Sequence, residues 1–141
     1  MRRLLICAVL IACLIGVAPW ALYGIGLSNI EGRPIPPTAP SPNLAGEDVL
    51  GRGDRPLSAV HVKPISPWDY VLAIASDDPR ALEGGARSAS IIARGYNVSH
   101  LRRRETLWWH LSGAALTIWL TRNWTSDEIL RGASEKRGKT F

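Results

Sequence analysis

Apolar and polar positions change rhythm three times along this chain. Residues 4–27, LLICAVLIACLIGVAPWALYGIGL, form an unbroken apolar run without a charge. Such a run is long enough to span a bilayer, which takes roughly 20 apolar residues. Arg2 and Arg3 precede it, so the positive-inside bias places the N-terminus in the cytoplasm and everything after Ser28 across the membrane. A cleaved signal peptide is the competing reading, but the run exceeds the apolar core of such a segment and no small-x-small site follows it cleanly. Pro19 lies inside it, where a membrane helix tolerates a kink.

Between Asn29 and Pro67 the pattern dissolves into eight prolines, densest in GRPIPPTAPSP. Proline removes backbone donors and favours extended chain, which predicts a semi-rigid tether. Val49, Leu50, Val60 and Val62 are positions that can pin it to a domain as short strand-like pieces.

Helical period then takes over. Ser66-Pro67-Trp68-Asp69 supplies an N-cap, a proline at the first helical position and an acid in the first turn. The predicted helix runs to about Ala75 with Trp68, Val71, Leu72 and Ala75 along one side. Asp78-Pro79 restarts a helix, Gly84-Gly85 interrupts it, and Ala86 to Tyr96 is helical again, with Ala89, Ile92, Ala93 and Tyr96 in register. A longer helix is expected from about Arg104 to Arg122. Thr125 caps a last one, Glu128 completing a capping box. The polar tail after Gly132 is expected to fray.

The expected architecture is mainly α. It divides into a transmembrane anchor (residues 1–28), a Pro-rich extended linker (29–65), a small domain of about four helices (66–132) and a polar tail (133–141). About 70 residues of helix make a marginal core without a membrane or partner.

Four of the six tryptophans fall in LWWHLSGAALTIWLTRNWTSDEIL, residues 107–130. Trp108, Leu111, Ala115 and Trp119 share one helical face, Trp109, Leu116 and Leu120 widen it, and Trp124 follows its end. The tryptophans either fill a small core or sit at headgroup level, where an apolar ring with a wet N–H is favoured. Upstream, Arg102, Arg103 and Arg104 can grip phosphate oxygens or lie in the headgroup layer. Basic-then-aromatic order is the pattern of a helix resting on a membrane.

Charge and candidate chemistry narrow this further. The net charge of +5 is modest. Outside the cytoplasm it suits anionic headgroups or lipid pyrophosphates, and nucleic acid is not an expected partner. Cys7 and Cys13 both lie in the apolar run, so no disulfide is available to the remainder. His61, His100 and His110 are isolated, and zinc needs three or four converging ligands, so neither a metal site nor a cofactor is expected. Asp78 before Pro79 reads as a helix cap, leaving Asp77 as the candidate acid–base carboxylate. Ser88 and Ser90 read as helix-surface serines. Asn97-Val-Ser and Asn123-Trp-Thr match the short glycosylation pattern.

Three segments together resemble the family-51 peptidoglycan glycosyltransferases, the transglycosylase domain of penicillin-binding proteins. GGARSASIIAR, residues 84–94, resembles that family's GGSTLTMQLAR-type motif. RRRETLWWHLSGAALTIWLTRNWTSDEIL is similar to its basic, long-helix segment, and PWDYVLAIASDDP to the helix before its Glu-Asp motif. Ser76-Asp77-Asp78 stands where the family has its catalytic Glu-Asp, and the two glutamates of the third motif fall on Gly113 and Thr121.

The resemblance implies a truncated, degenerate relative anchored in a bacterial inner membrane, its domain periplasmic. As a non-catalytic protein it would bind lipid-linked precursor or a cell-wall synthesis partner, with Arg94, Arg102, Arg103, Arg104 and Arg122 as phosphate-holding groups and Trp108, Trp109, Trp119 and Trp124 at the membrane interface. Two alternatives stand beside it. One is true glycosyl transfer with Asp77 as base, and the other a structural membrane protein packing through its Trp-rich helix.

Overall fold

The computed structural model describes residues 2–38, 61–76 and 85–138, and among them the fold is mainly helical. Five helices follow in order: α1 (Arg2–Ser28), α2 (Pro67–Ala75), α3 (Gly85–His100), α4 (Thr106–Asn123) and α5 (Ser126–Gly138). Asp77, Val49, Leu50, Val60 and the Asp78-Pro79 helix start lie outside the described residues.

Local chemistry sets the helix ends. Ser66 caps α2, its hydroxyl accepting from the Asp69 N–H at 3.1 Å while the Asp69 carboxylate accepts from the Ser66 N–H at 2.9 Å. Thr125 and Glu128 do the same for α5, with Thr125 N–H to Glu128 Oε2 at 2.7 Å and Glu128 N–H to Thr125 Oγ1 at 3.3 Å. Each box satisfies amides that a helix start leaves without partners.

α3 and α4 pack as an antiparallel pair, and α5 returns across α3. The core between them holds Ala89, Ile92, Ala93, Leu116, Leu120, Trp124, Ile129 and Ala133. The expected stripe of α3 is therefore its buried face. Small residues bring the backbones close: a Cβ on Gly132 would meet Ile92 Cδ1 at 3.0 Å and the Trp124 ring at 3.2 Å.

α1 runs antiparallel to α4 along its own C-terminal half. Gly26 lies against Leu111 and Ala115, where a Cβ would meet the Leu111 carbonyl oxygen at 2.7 Å. Six residues earlier, Trp20 lies under Arg122 near the far end of α4. The first half of α1 extends beyond α4 with Leu4, Leu5, Ile6, Leu14, Ile15 and Val17 all exposed. Among the described residues no helix is long and apolar enough to cross a membrane, the side chains of residues 8–12 within α1 lying outside that statement.

Three expectations need correction. The 29–65 stretch is not merely a tether, because parts of it complete the core. Ile30 pairs with Leu101 in an isolated antiparallel bridge, and Ile30 and Val62 are both core residues. Gly32, at φ 71, then turns the chain beneath the Tyr96 hydroxyl. The segment at residues 61–65 crosses the bundle end, its Val62 N–H donating to Ser126 Oγ at 2.9 Å and its Ile65 N–H to Thr121 Oγ1 at 3.2 Å. Nor does the chain fray after Gly132: α5 continues to Gly138, because Ala133 lands one turn after Ile129 on the core face. Finally, Ser88 is buried, so it is not a surface serine.

Candidate membrane-facing junction and basic groove

Where α1 leaves the bundle, aromatic rings and a cation gather. Trp20 and Tyr23 meet edge to face at 6.2 Å between centroids. The Arg122 guanidinium lies 5.7 Å from the Trp20 ring centre, within cation–π range. Four residues before Trp20, the Gly16 carbonyl accepts the Trp68 indole N–H at 3.2 Å, tying α2 to α1. A helix rises 1.5 Å per residue, so Trp20 stands about 27 Å and Tyr23 about 32 Å along the axis from Arg2. A bilayer hydrocarbon core is about 30 Å thick.

A second feature is an open groove between α2, α3 and α4. Tyr70 lines one wall, Ser90 and Arg94 a second, and Trp109, His110, Gly113, Ala114 and Thr117 the third. Ser90 and Arg94 are one helical turn apart and so face the same way. The Tyr70 hydroxyl is pushed above its ordinary range by burial, which the neighbouring Arg94 charge partly counters. It is therefore a neutral donor at physiological pH. A guanidinium, a phenol and an imidazole are groups that can hold an anion, whereas the Ser90 and Thr117 hydroxyls donate to the Arg87 and Gly113 carbonyls at 2.7 and 2.8 Å.

The five arginines singled out in the sequence do not form one site. Arg94 lines the groove and Arg122 stacks at the junction. Arg102, Arg103 and Arg104 sit just before the opposite end of α4, whose first residue, Thr106, is about 24 Å of helix from Arg122. Arg102 faces Glu31 at 3.9 Å in an exposed pair, and such pairs contribute little. Arg103 lies over the Trp108 ring at 4.9 Å, and Arg104 is exposed.

The four tryptophans separate likewise. Trp124 is buried in the core, so the membrane-interface role expected of it is withdrawn. Trp109 and Trp119 pack half-buried against that core, Arg33 lying 6.0 Å from the Trp119 ring, and Trp108 is half-buried beneath Arg103. α4 lies lengthwise along the C-terminal half of α1.

Asn97 of the first glycosylation match is also buried, its amide donating to the Trp109 carbonyl at 3.3 Å, so it is no acceptor in this fold. No cluster that could hold a metal occurs among the described residues.

Sequence reasoning read Trp68 only as part of the α2 stripe and did not single out Trp20 or Tyr23, although both stand near the end of the apolar run. No family model, curated protein or solved structure matches this chain. The resemblance to the glycosyltransferases rests on the residues quoted above.

Proposed function

We propose that the protein is a single-pass membrane protein that holds a small helical domain beside the bilayer, where the groove around Arg94 binds a phosphate-bearing lipid headgroup. The observation that carries the anchor is the free half of α1. Its described large side chains are apolar and exposed on every side, and it ends at Trp20, Tyr23 and Arg122, about one hydrocarbon thickness from Arg2. Exposed apolar surface of this extent is costly in water and at no cost in lipid. Arg2 and Arg3 place the N-terminus in the cytoplasm and the helical domain outside it.

The ligand class follows from the lining of the groove. Arg94 provides a planar fork of donors that matches phosphate, while Tyr70 and His110 bring further polar groups to the groove. The resemblance to the peptidoglycan glycosyltransferases suggests a lipid-linked, pyrophosphate-bearing wall precursor as the particular ligand, with binding as the protein's role in wall synthesis.

Two measurements test this reading. Full-length protein made in a bacterial membrane should resist alkaline carbonate extraction, and release by carbonate would overturn the anchor. In detergent, a short-chain lipid pyrophosphate should bind in a salt-dependent way. Arg94→Ala should weaken it about tenfold, the scale of one charged hydrogen bond. Equal affinity of wild type and Arg94→Ala would remove the groove from the proposal.

A further inference from the structure

The helix α2 has a face that nothing among the described residues covers. Trp68, Val71, Leu72 and Ala75 fall on one side of it at helical spacing. Val71 is 39% and Leu72 59% exposed, and Ala75 is exposed as well. Ile74, on the adjoining side, is 65% exposed. A nine-residue helix with three large aliphatic side chains in water is poorly explained by its packing on the bundle alone.

Trp68 tells which way this face looks. Its indole reaches the Gly16 carbonyl, on the part of α1 that protrudes beyond α4. Val71 and Leu72 are one turn further along the same face of α2, a helix that packs against α1. Two exposed cations occur near the junction of α1 and α2: Lys63 just before α2, and Arg122 stacked on Trp20. Lys63 lies close enough to Asp69, on the polar side of α2, to favour its charge. An exposed apolar helix face that starts at a tryptophan, with lysine and arginine in the neighbouring segments, is the pattern of a helix lying in a headgroup layer.

We propose that α2 is a lipid-inserted foot: it lies in the outer leaflet's interface beside the anchor, with Val71, Leu72 and Ile74 among the acyl chains. This rests on the reading of α1 as a bilayer anchor and adds a second point of attachment. One helix alone lets a domain swing about its exit point. A second contact fixes the tilt of the bundle, and with it the height of the Arg94 groove over the headgroups.

The test uses the full chain with Cys7→Ser and Cys13→Ser, carrying one cysteine at a time for a polarity-sensitive dye. The proteins are reconstituted into vesicles of phosphatidylethanolamine and phosphatidylglycerol, with or without lipids bearing a nitroxide quencher on the acyl chain. Leu72→Cys and Ala75→Cys report on the foot, Leu14→Cys on the anchor, and Val98→Cys, exposed near the C-terminal end of α3, on bulk water. The foot predicts blue-shifted emission at residues 72 and 75, quenched several-fold more than at residue 98 and close to residue 14.

Failure of the anchor reading gives a different result: the protein does not float with the vesicles, or residue 14 is unquenched, and the foot falls with it. If the protein floats and residue 14 is quenched while residues 72 and 75 behave like residue 98, the foot alone is overturned. Blue-shifted emission there without quenching by lipid means that protein covers the face, which also overturns it. Because both probed positions are exposed, a folding defect is not expected, and agreement of the two guards against one.

Discussion

The Asn29 side-chain amide donates to the Ser112 hydroxyl at 3.0 Å, inside a junction buried from water and across 83 residues of chain. The same amide reaches the Arg103 carbonyl at 3.2 Å, and its oxygen accepts the Arg103 N–H at 3.0 Å. One side chain thereby joins the end of α1 to the loop before α4 and to α4 itself. With the Ile30–Leu101 bridge next to it, this is the clasp that holds α1 against the bundle.

Asn29→Ala should therefore cost about 2–3 kcal/mol, because it leaves the part-buried Arg103 amide and the buried Ser112 hydroxyl short of partners. Ser112→Ala removes one bond and should cost about 1 kcal/mol. Urea unfolding in detergent, followed by circular dichroism, checks both. A double variant less destabilised than the sum of the two would show that they act as a pair.

Gly26 tests the other half of the same contact. A Cβ there would sit 2.7 Å from a backbone oxygen of α4 and 2.8 Å from Ala115 Cβ, and neither is the end of a flexible side chain. Gly26→Ala should destabilise by about 1–3 kcal/mol as the helices are forced apart. Gly24→Ala, two residues away with nothing within 4 Å, should be neutral or slightly stabilising, since alanine favours helix. Equal effects from the two would mean that α1 does not pack on α4 as described.

Why these contacts were hidden in the sequence is a matter of pattern. α2 and α5 could be read from their caps, because Ser66 with Asp69 and Thr125 with Glu128 act over three residues. The buried stripe of α3 was legible for the same local reason. The packing of α4 on α1 was not, since α1 shows no stripe and the stripe read on α4 through Trp108, Leu111, Ala115 and Trp119 left out the polar Ser112, Thr117 and Thr121, which are buried. Ile30 was equally mute as a core residue, being a single apolar position beside prolines and charges, where no period can form, whereas Val62 was legible as a position that pins the Pro-rich stretch. Burial of Ser88 and Asn97 escaped because small polar residues let helices approach closely while scoring as surface. In the groove, Arg94 was anticipated, but its partners Tyr70 and His110 come from two other helices and only the fold brings them near.

The capping box of α2 carries a pH dependence whose sign can be stated. Hydrogen bonds from the Ser66 backbone and hydroxyl hold the Asp69 carboxyl below its ordinary value. A carboxyl whose folded pKa is lowered contributes stability above its unfolded pKa, about 4, and loses that contribution as pH falls through the folded value. Asp69→Asn should thus be less stable than wild type near neutral pH, and the gap should close in acid below about pH 4. Ser66→Ala should lose about 1 kcal/mol, the usual cost of a missing N-cap. A gap between wild type and Asp69→Asn that persists unchanged in acid would contradict the box.

Trp124 and Trp108 lie at opposite ends of α4 and should respond in opposite ways. The Trp124 ring is 8% exposed, wedged where α3 and α5 approach at Ile92 and Gly132. Removing it empties the centre of a small core, so Trp124→Ala should cost about 3–5 kcal/mol. Total stability for domains is about 5–15 kcal/mol, and a bundle this small sits at the lower end, so α5 should be lost outright. Trp108 is half-buried and stacks on an exposed arginine, a contact of about 0.5–1 kcal/mol. Trp108→Ala should leave α5 folded and shift the unfolding midpoint only slightly. Amide exchange in α5, measured for both variants, separates the cases: collapse of protection in Trp124→Ala alone marks a core tryptophan, whereas equal protection in the two would return Trp124 to the surface.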